Sequence, residues 1–218
     1  MLSESSEMYL QTVFRLCEKH GEVSIGTIAE AMAHSLSTVS EKVKKLTEQG
    51  LLVHEWREGV SLSREGERVA GKILRKRRLI ETFLVKMAGY LPYEVHEEAC
   101  RLEHVVSERL TGELDRMLGY PRNDPHGHPI PSPEGELVGM TTVPLTTVEQ
   151  GSRVRVAAIS SADVEKMKYI DQLGFHPGNL CRLLEKAPFD GPLRIEMHGK
   201  ELSIAVSLAL FIQVEKVS

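Results

Sequence analysis

The chain has 218 residues, room for one large domain or two small ones, and a hydrophobic content of 41%, ordinary for a globular protein. It contains no run of about 18 apolar residues, so no membrane span is expected, and the opening "MLSESSEMYL" lacks the basic region and apolar core of a secretory signal. The net charge of −4 does not advertise a nucleic-acid binder, and three well-separated cysteines, Cys17, Cys100 and Cys181, point to free thiols in a reducing cytoplasm.

Apolar residues recur at Met8, Leu10, Val13, Phe14 and Leu16, which predicts an amphipathic helix from Glu7 to Lys19. "HGEV" breaks it. A short helix follows from Ser24 to Met32, capped by Ser24. "AHSLS" turns the chain into a third helix from Ser37 to Gln49, with Val39, Val43 and Leu46 inward and Gly50 as its stop. Helix, short turn, helix is the arrangement whose second helix enters the DNA major groove. Small polar residues around its start (Ser35, Ser37, Thr38, Ser40) suit base edges, and Lys42, Lys44 and Lys45 suit phosphates. A helical hairpin with no nucleic-acid role fits the same pattern. "LLVHEWREGVSLS" then reads as two strands around a turn, a wing that carries Arg57, and "SREGERVA" restarts a helix that continues to about Gly89.

Charge is uneven beyond this point. Residues 61–90 hold eight Lys/Arg against three Asp/Glu, whereas 91–140 hold four against ten, the balance a cation site favours. The acidic stretch contains "VHEEACRLEHVVSE", within a further helix expected over about Pro92 to Leu118. His96, Cys100, Glu103 and His104 fall at i, i+4, i+7 and i+8, one face of a helix, and each can bind a transition metal. The plainer reading makes Cys100 a buried small hydrophobe and the glutamates solvated. One helix rarely surrounds an ion, so further ligands must come from elsewhere. "GYPRNDPHGHPIPSPEGELVGMTTVP" is too rich in Pro and Gly for a regular element. From about Leu145 five short strand patterns and one short helix predict a small barrel.

The residues "EMYL" (Glu7 to Leu10), "IAEAMAHSLSTVSEKVKKLTEQGLL", "RKRRLIETFL", "VHEEACRLEH" and "DPHGHPIP", in this order, resemble the diphtheria toxin repressor and iron-dependent regulator family of bacterial metal-responsive repressors. The resemblance implies a mainly α chain with a small β part. Its divisions would be a winged helix-turn-helix over 1–64, a helical dimerisation and metal-binding domain over 65–140 and an SH3-like β-barrel over 145–218. It implies a cytoplasmic homodimer that binds double-stranded operator DNA when Fe(II) or Mn(II) is abundant and represses metal uptake, with no membrane and no small-molecule substrate. Co(II), Ni(II), Zn(II) and Cd(II) are expected to bind in vitro.

For the primary metal site the family's pattern falls on Met8, Cys100, Glu103 and His104. For an ancillary site it falls on Glu81 and His96, with Asp163 or its neighbour Glu165 from the SH3-like part. Two positions depart from the pattern. Arg77 stands where the family has an ancillary His, and a guanidinium has no lone pair to offer. Either water completes a weaker site, or Arg77 replaces the cation by pairing with Glu81, Asp163 or Glu165, the favoured reading. Glu41 stands on the recognition helix where an uncharged residue is usual; it either accepts from cytosine N4 or repels phosphates. No H-E-x-x-H or nucleophile constellation supports an enzyme. The alternative outside metal sensing is a redox- or small-molecule-responsive repressor with Cys100 as its sensor.

Overall fold

The computed structural model describes residues 2–55, 59–161 and 163–217, without the side chains of residues 18–20. It divides into two compact units, each drawn from three chain segments: Met1–Arg77, Cys100–Gly112 and Ile130–Val138 form one; Arg78–Ala99, Glu113–Pro129 and Gly139–Ser218 form the other.

In the first unit, helices α1 (Glu4–His20), α2 (Ile25–Met32) and α3 (Leu36–Glu48) start where serines permit it. Ser3, Ser24 and Ser35 each precede a helix, adopt extended backbone and accept the N–H three residues on, a cap worth about 1 kcal/mol apiece. Val39, Val43 and Leu46 of α3 are fully buried against Tyr9, Leu10 and Val13 of α1 and Ile28 of α2, as helical spacing of three to four residues requires. Strands β1 (Leu52–Glu55) and β2 (Gly59–Leu62) pair antiparallel, Leu52 opposite Leu62, with Val60 in the same core. The turn of this wing, with Arg57, lies outside the described residues.

Helix α4 (Arg64–Ala88) follows directly. The Pro/Gly-rich segment packs on its start. A Cβ on Gly71 would lie 2.0 Å from the Gly135 carbonyl oxygen, and one on Gly135 would lie 2.1 Å from the Arg68 carbonyl, so the two backbones meet only because both residues are glycine. Arg75 donates to the Pro131 carbonyl at 2.6 Å and secures the same segment.

The single helix expected over Pro92 to Leu118 is instead three pieces. A 3-10 turn at Pro92–Glu94 leads into α5 (Val95–Glu103), and α6 (Glu108–Met117) restarts after a break at residues 104–107. Ser107 accepts the Leu110 N–H at 3.2 Å and so begins a new helix rather than continuing the old one. His104 therefore sits just past the end of α5 and not on its face.

In the second unit β3 (Val143–Pro144), β4 (Arg153–Ile159), β5 (Leu180–Lys186), β6 (Leu193–Met197), β7 (Lys200–Ile204) and β8 (Ile212–Lys216) form one antiparallel sheet in the order β3-β8-β4-β5-β6-β7. Five of these strands match the sequence expectation. The sixth, β3, is two residues long and lies in the Pro-rich stretch, where no alternation can show. Bulges between Val156 and Ala158 and between Leu183 and Glu185 bend β4 and β5. Val154, Leu183, Ile195, Ile212 and Val214 face inward and are sealed by Ile170 of α7 (Val164–Gln172) and by Phe175. The short α8 (Val206–Ala209) leads into β8.

Candidate DNA-reading face and metal centre

The exposed side of α3 carries Ser37, Thr38, Ser40, Glu41, Lys44 and Lys45. Ser35 is exposed too, but its hydroxyl already accepts the Thr38 N–H at 3.2 Å and meets the Ser37 and Thr38 hydroxyls at 2.9 and 2.8 Å. Its first duty is to cap the helix. Lys42, expected among the phosphate contacts, meets partners within the chain. Its ammonium donates to the Ser6 hydroxyl at 2.9 Å and lies over the Tyr9 ring, 5.8 Å from the centroid. Burial, followed by the nearby Lys45 charge, lowers its pKa. The Tyr9 hydroxyl in turn meets His34 Nδ1, in the turn before α3, at 2.9 Å. Lys42 is thus part of a seam between α1 and α3.

The four residues implied for the primary metal site are not gathered around one point. Met8, on α1, is 45% exposed, and Cys100 is half-buried. Glu103, 1% exposed, faces a guanidinium: Arg77 Nε donates to one carboxylate oxygen at 2.7 Å and Arg77 Nη2 to the other at 2.8 Å. Arg77 also donates to the Gln11 side-chain carbonyl, and the Gln11 amide donates to Glu103 at 3.1 Å. His104 Nδ1 lies 2.7 Å from Glu7 and its Nε2 lies 3.3 Å from Glu103. The expected partners of Arg77 were Glu81, Asp163 or Glu165; the bidentate partner among the described residues is Glu103. Asp163 caps α7, accepting from the Glu165 and Lys166 N–H groups, and its other oxygen meets the Lys166 ammonium at 3.2 Å. These bonds hold its carboxyl below the usual range, although it is fully exposed. Glu165 is exposed in the first turn of α7.

Among the described residues, one set of three His, Cys, Asp or Glu side chains brings its ligand atoms within 4.8 Å of one another: Glu81, Asp124 and His126. Glu81 comes from α4. Asp124 and His126 come from the "DPHGHP" turn, which folds around the Asp124 carboxylate; one oxygen accepts the His126 and His128 N–H groups, both at 2.9 Å. Gly127, at φ 92°, allows this, because a Cβ there would lie 2.0 Å from the Ala157 carbonyl oxygen.

The imidazole of His126 is oriented for a ligand. Its Nε2 is 2.9 Å from the Pro92 carbonyl, which can only accept, so Nε2 carries the hydrogen. Nδ1 then faces Glu81 at 3.8 Å. A ring held through its far nitrogen by a carbonyl is the usual support of a metal-binding histidine. Burial pushes the Asp124 carboxyl up, nearby His128 opposes this and Glu81 adds to it; burial also pushes His128 down. Arg78 meets Asp124 at 3.3 Å and also donates to the Pro129 carbonyl. Of the expected ancillary residues, His96 is beside Glu81 at 3.5 Å. Asp124 and His126 were passed over in sequence, although a D-x-H flanked by prolines and followed by Gly was the available signal.

The donor chemistry fits a divalent cation at Glu81, Asp124 and His126: two carboxylates and one imidazole, buried or nearly so, with the imidazole already oriented. It does not fit one at Glu103 as arranged, where a guanidinium occupies both carboxylate oxygens.

Comparison with known proteins gives three family matches in chain order: the iron-dependent repressor N-terminal DNA-binding domain over residues 1–60, the iron-dependent repressor metal-binding and dimerisation domain over 63–132, and the FeoA domain over 143–216. The iron-dependent repressor IdeR of Mycobacterium leprae is 31% identical, covering 99% of both chains. The diphtheria toxin repressor of Corynebacterium diphtheriae is 28% identical over 99% of this chain and 98% of its own. Among solved structures, a manganese-dependent transcriptional repressor in complex with manganese is 35% identical with a TM-score of 0.91, covering 97% of this chain and 100% of that one.

Proposed function

The chain belongs to the iron-dependent repressor family, metal-dependent transcriptional repressors that bind DNA and dimerise, and from that premise we propose that Mn(II), held by Glu81, Asp124 and His126, switches on its operator binding. The observation that carries this reading is the convergence of two carboxylates and the carbonyl-oriented His126 Nδ1. Soft donors in the sequence, Met8 and Cys100, favour Fe(II). Two of the three donors that converge are carboxylates, and hard oxygen ligands suit Mn(II) better. The manganese complex of the structural neighbour supports the same choice, and the iron-dependent relatives keep Fe(II) as the second reading. His96, beside Glu81, is the nearest further donor.

When bound, the ion supplies a fixed positive charge that lets both buried carboxylates stay ionised. His126, held by Pro92, offers Nδ1 without turning; Gly127 keeps Asp124 and His126 on one turn. Regulation is linkage. The ion must favour the DNA-competent state, and DNA must then tighten ion binding by the same factor. A coupling of about 1–3 kcal/mol corresponds to roughly 5- to 150-fold in operator affinity. We assign the working divisions as 1–64 for the winged helix, 65–140 for the metal-binding and dimerisation part and 145–218 for the SH3-like part, in keeping with the three family matches. Three cysteines outside any disulfide and an operator target support a cytoplasmic location.

The test is an anaerobic titration of operator affinity with Mn(II), Fe(II) and chelator. Equal affinity with and without chelator refutes the metal switch. A response to peroxide at Cys100 that needs no metal would favour the redox alternative. The same assay checks the DNA face. Affinity falls with salt, and Lys44→Ala or Lys45→Ala each lowers the log–log salt slope by about 1, the loss of one phosphate contact. Lys42→Ala leaves the slope nearly unchanged, because its ammonium is turned to Ser6.

A further inference from the structure

Arg77 is tied to more than one element of the first unit. Its guanidinium joins three elements: α4, which carries it; α1, through Gln11; and the end of α5, through both oxygens of Glu103. Gln11 closes the ring by donating back to Glu103, and His104 and Glu7 make a second link between the same two elements. Glu103 is buried, and a buried carboxylate needs a partner that is always charged and can satisfy two oxygens at once. Arginine meets both needs; lysine meets neither as well.

The geometry points to Arg77 as a resident cation set by α4 against the first helix: it ties α1 to the end of α5 where the family resemblance implies a metal, and it keeps divalent ions from Met8, Cys100, Glu103 and His104. Arg77 is a positioning residue, acting through Glu103 and Gln11. Two features set it there. The position carries no lone pair, so it cannot join an ion's coordination shell. Its charge is permanent, so an ion arriving at Glu103 would meet a fixed like charge at contact distance and would have to displace a bidentate pair. The first-helix tie is then independent of metal supply, and the repressor takes one activating ion per chain. That count rests on the reading of Glu81, Asp124 and His126 given above; the tie itself does not.

The experiment uses the full chain under anaerobic conditions, with Mn(II) for stoichiometry by dialysis and elemental analysis, Co(II) for its thiolate-to-metal charge-transfer band, and amide hydrogen exchange of α1. The unmodified chain is expected to bind one Mn(II), to show no thiolate band with Co(II), and to keep α1 protected in chelator. Arg77→His replaces the guanidinium with a ligand; it should raise the count to two and bring up the thiolate band from Cys100. Arg77→Met should speed α1 exchange about 10-fold or more in chelator, the scale of a lost charge-assisted network.

Arg77→Met leaves Glu103 buried without that partner, so the double variant Arg77→Met with Glu103→Gln guards against a folding defect, and it too should exchange faster in α1. Two ions in the unmodified chain with a thiolate band would overturn the exclusion of metal. Unchanged α1 exchange in both methionine variants would overturn the tie. A chain that takes up no Mn(II) at all would refute the proposed metal centre alone, and the exchange comparison would still decide the role of Arg77.

Discussion

Glu81→Ala, Asp124→Ala and His126→Ala are each expected to reduce operator affinity in saturating Mn(II) to the value measured in chelator, a loss of about 5- to 150-fold. Each substitution removes one of three donors, and the remaining pair cannot hold the ion. His126→Ala also frees the Pro92 carbonyl. Asp124→Asn is a finer test because the amide oxygen can still accept the His126 and His128 N–H groups that shape the turn. The turn should survive while the ligand charge is lost. If the Asp124→Asn protein still responds to Mn(II) like the unmodified chain, the assignment of Asp124 as a ligand fails. Retained secondary structure by circular dichroism separates loss of the ion from loss of the fold.

The second large effect is expected from a single methyl group. Gly127→Ala places a Cβ 2.0 Å from the Ala157 carbonyl oxygen on a backbone at φ 92°. The obstacle is main chain of β4, at the bulge between Val156 and Ala158, in a strand that β8 holds on either side of that bulge. Strain at such a φ alone costs about 1–3 kcal/mol, and the clash adds to it. The turn must therefore move, taking Asp124 and His126 away from Glu81. Chemical denaturation should show a loss of about 2–4 kcal/mol, and Mn(II) uptake should fall with it. Unaltered stability and one bound ion per chain in Gly127→Ala would show that the turn has slack the packing does not suggest.

The helix-turn-helix was legible because its evidence is local. Val39, Val43 and Leu46 recur at helical spacing, Ser24 and Ser35 sit at helix starts, and no distant residue is needed to see either. The sheet was legible for a similar reason: Leu193, Ile195 and Met197 alternate with Arg194 and Glu196, inward and outward in turn. The break after α5 was less visible. Apolar spacing runs on through Val105 and Val106, and the only stop signal, Ser107 as a cap, is a common residue that periodicity outvotes.

The candidate centre was legible only in half. Glu81 and His96 stood out from the family pattern, but Asp124 joins Glu81 from 43 residues away, through a turn whose shape depends on Gly127 meeting β4. Arg77 shows the limit most clearly. One helical turn separates it from Glu81, so sequence spacing assigns it to that neighbourhood. Its bidentate partner, Glu103, lies 26 residues on, and nothing in local pattern announces that pairing.

The seam between α1 and α3 has a mechanical consequence. Tyr9 grips His34 at the turn, Lys42 reaches back to Ser6, and Leu10 and Val13 fill the space between with no exposed surface. Close-packed interiors yield little under load, so any motion of α1, α2 and α3 is expected to carry them together as one stiff lever. A restraint applied anywhere along α1 is then felt at the bases without any rearrangement inside the reading head. In a dimer, stiffness in the lever, rather than pliancy, would carry a small displacement at its root into the spacing of two recognition helices.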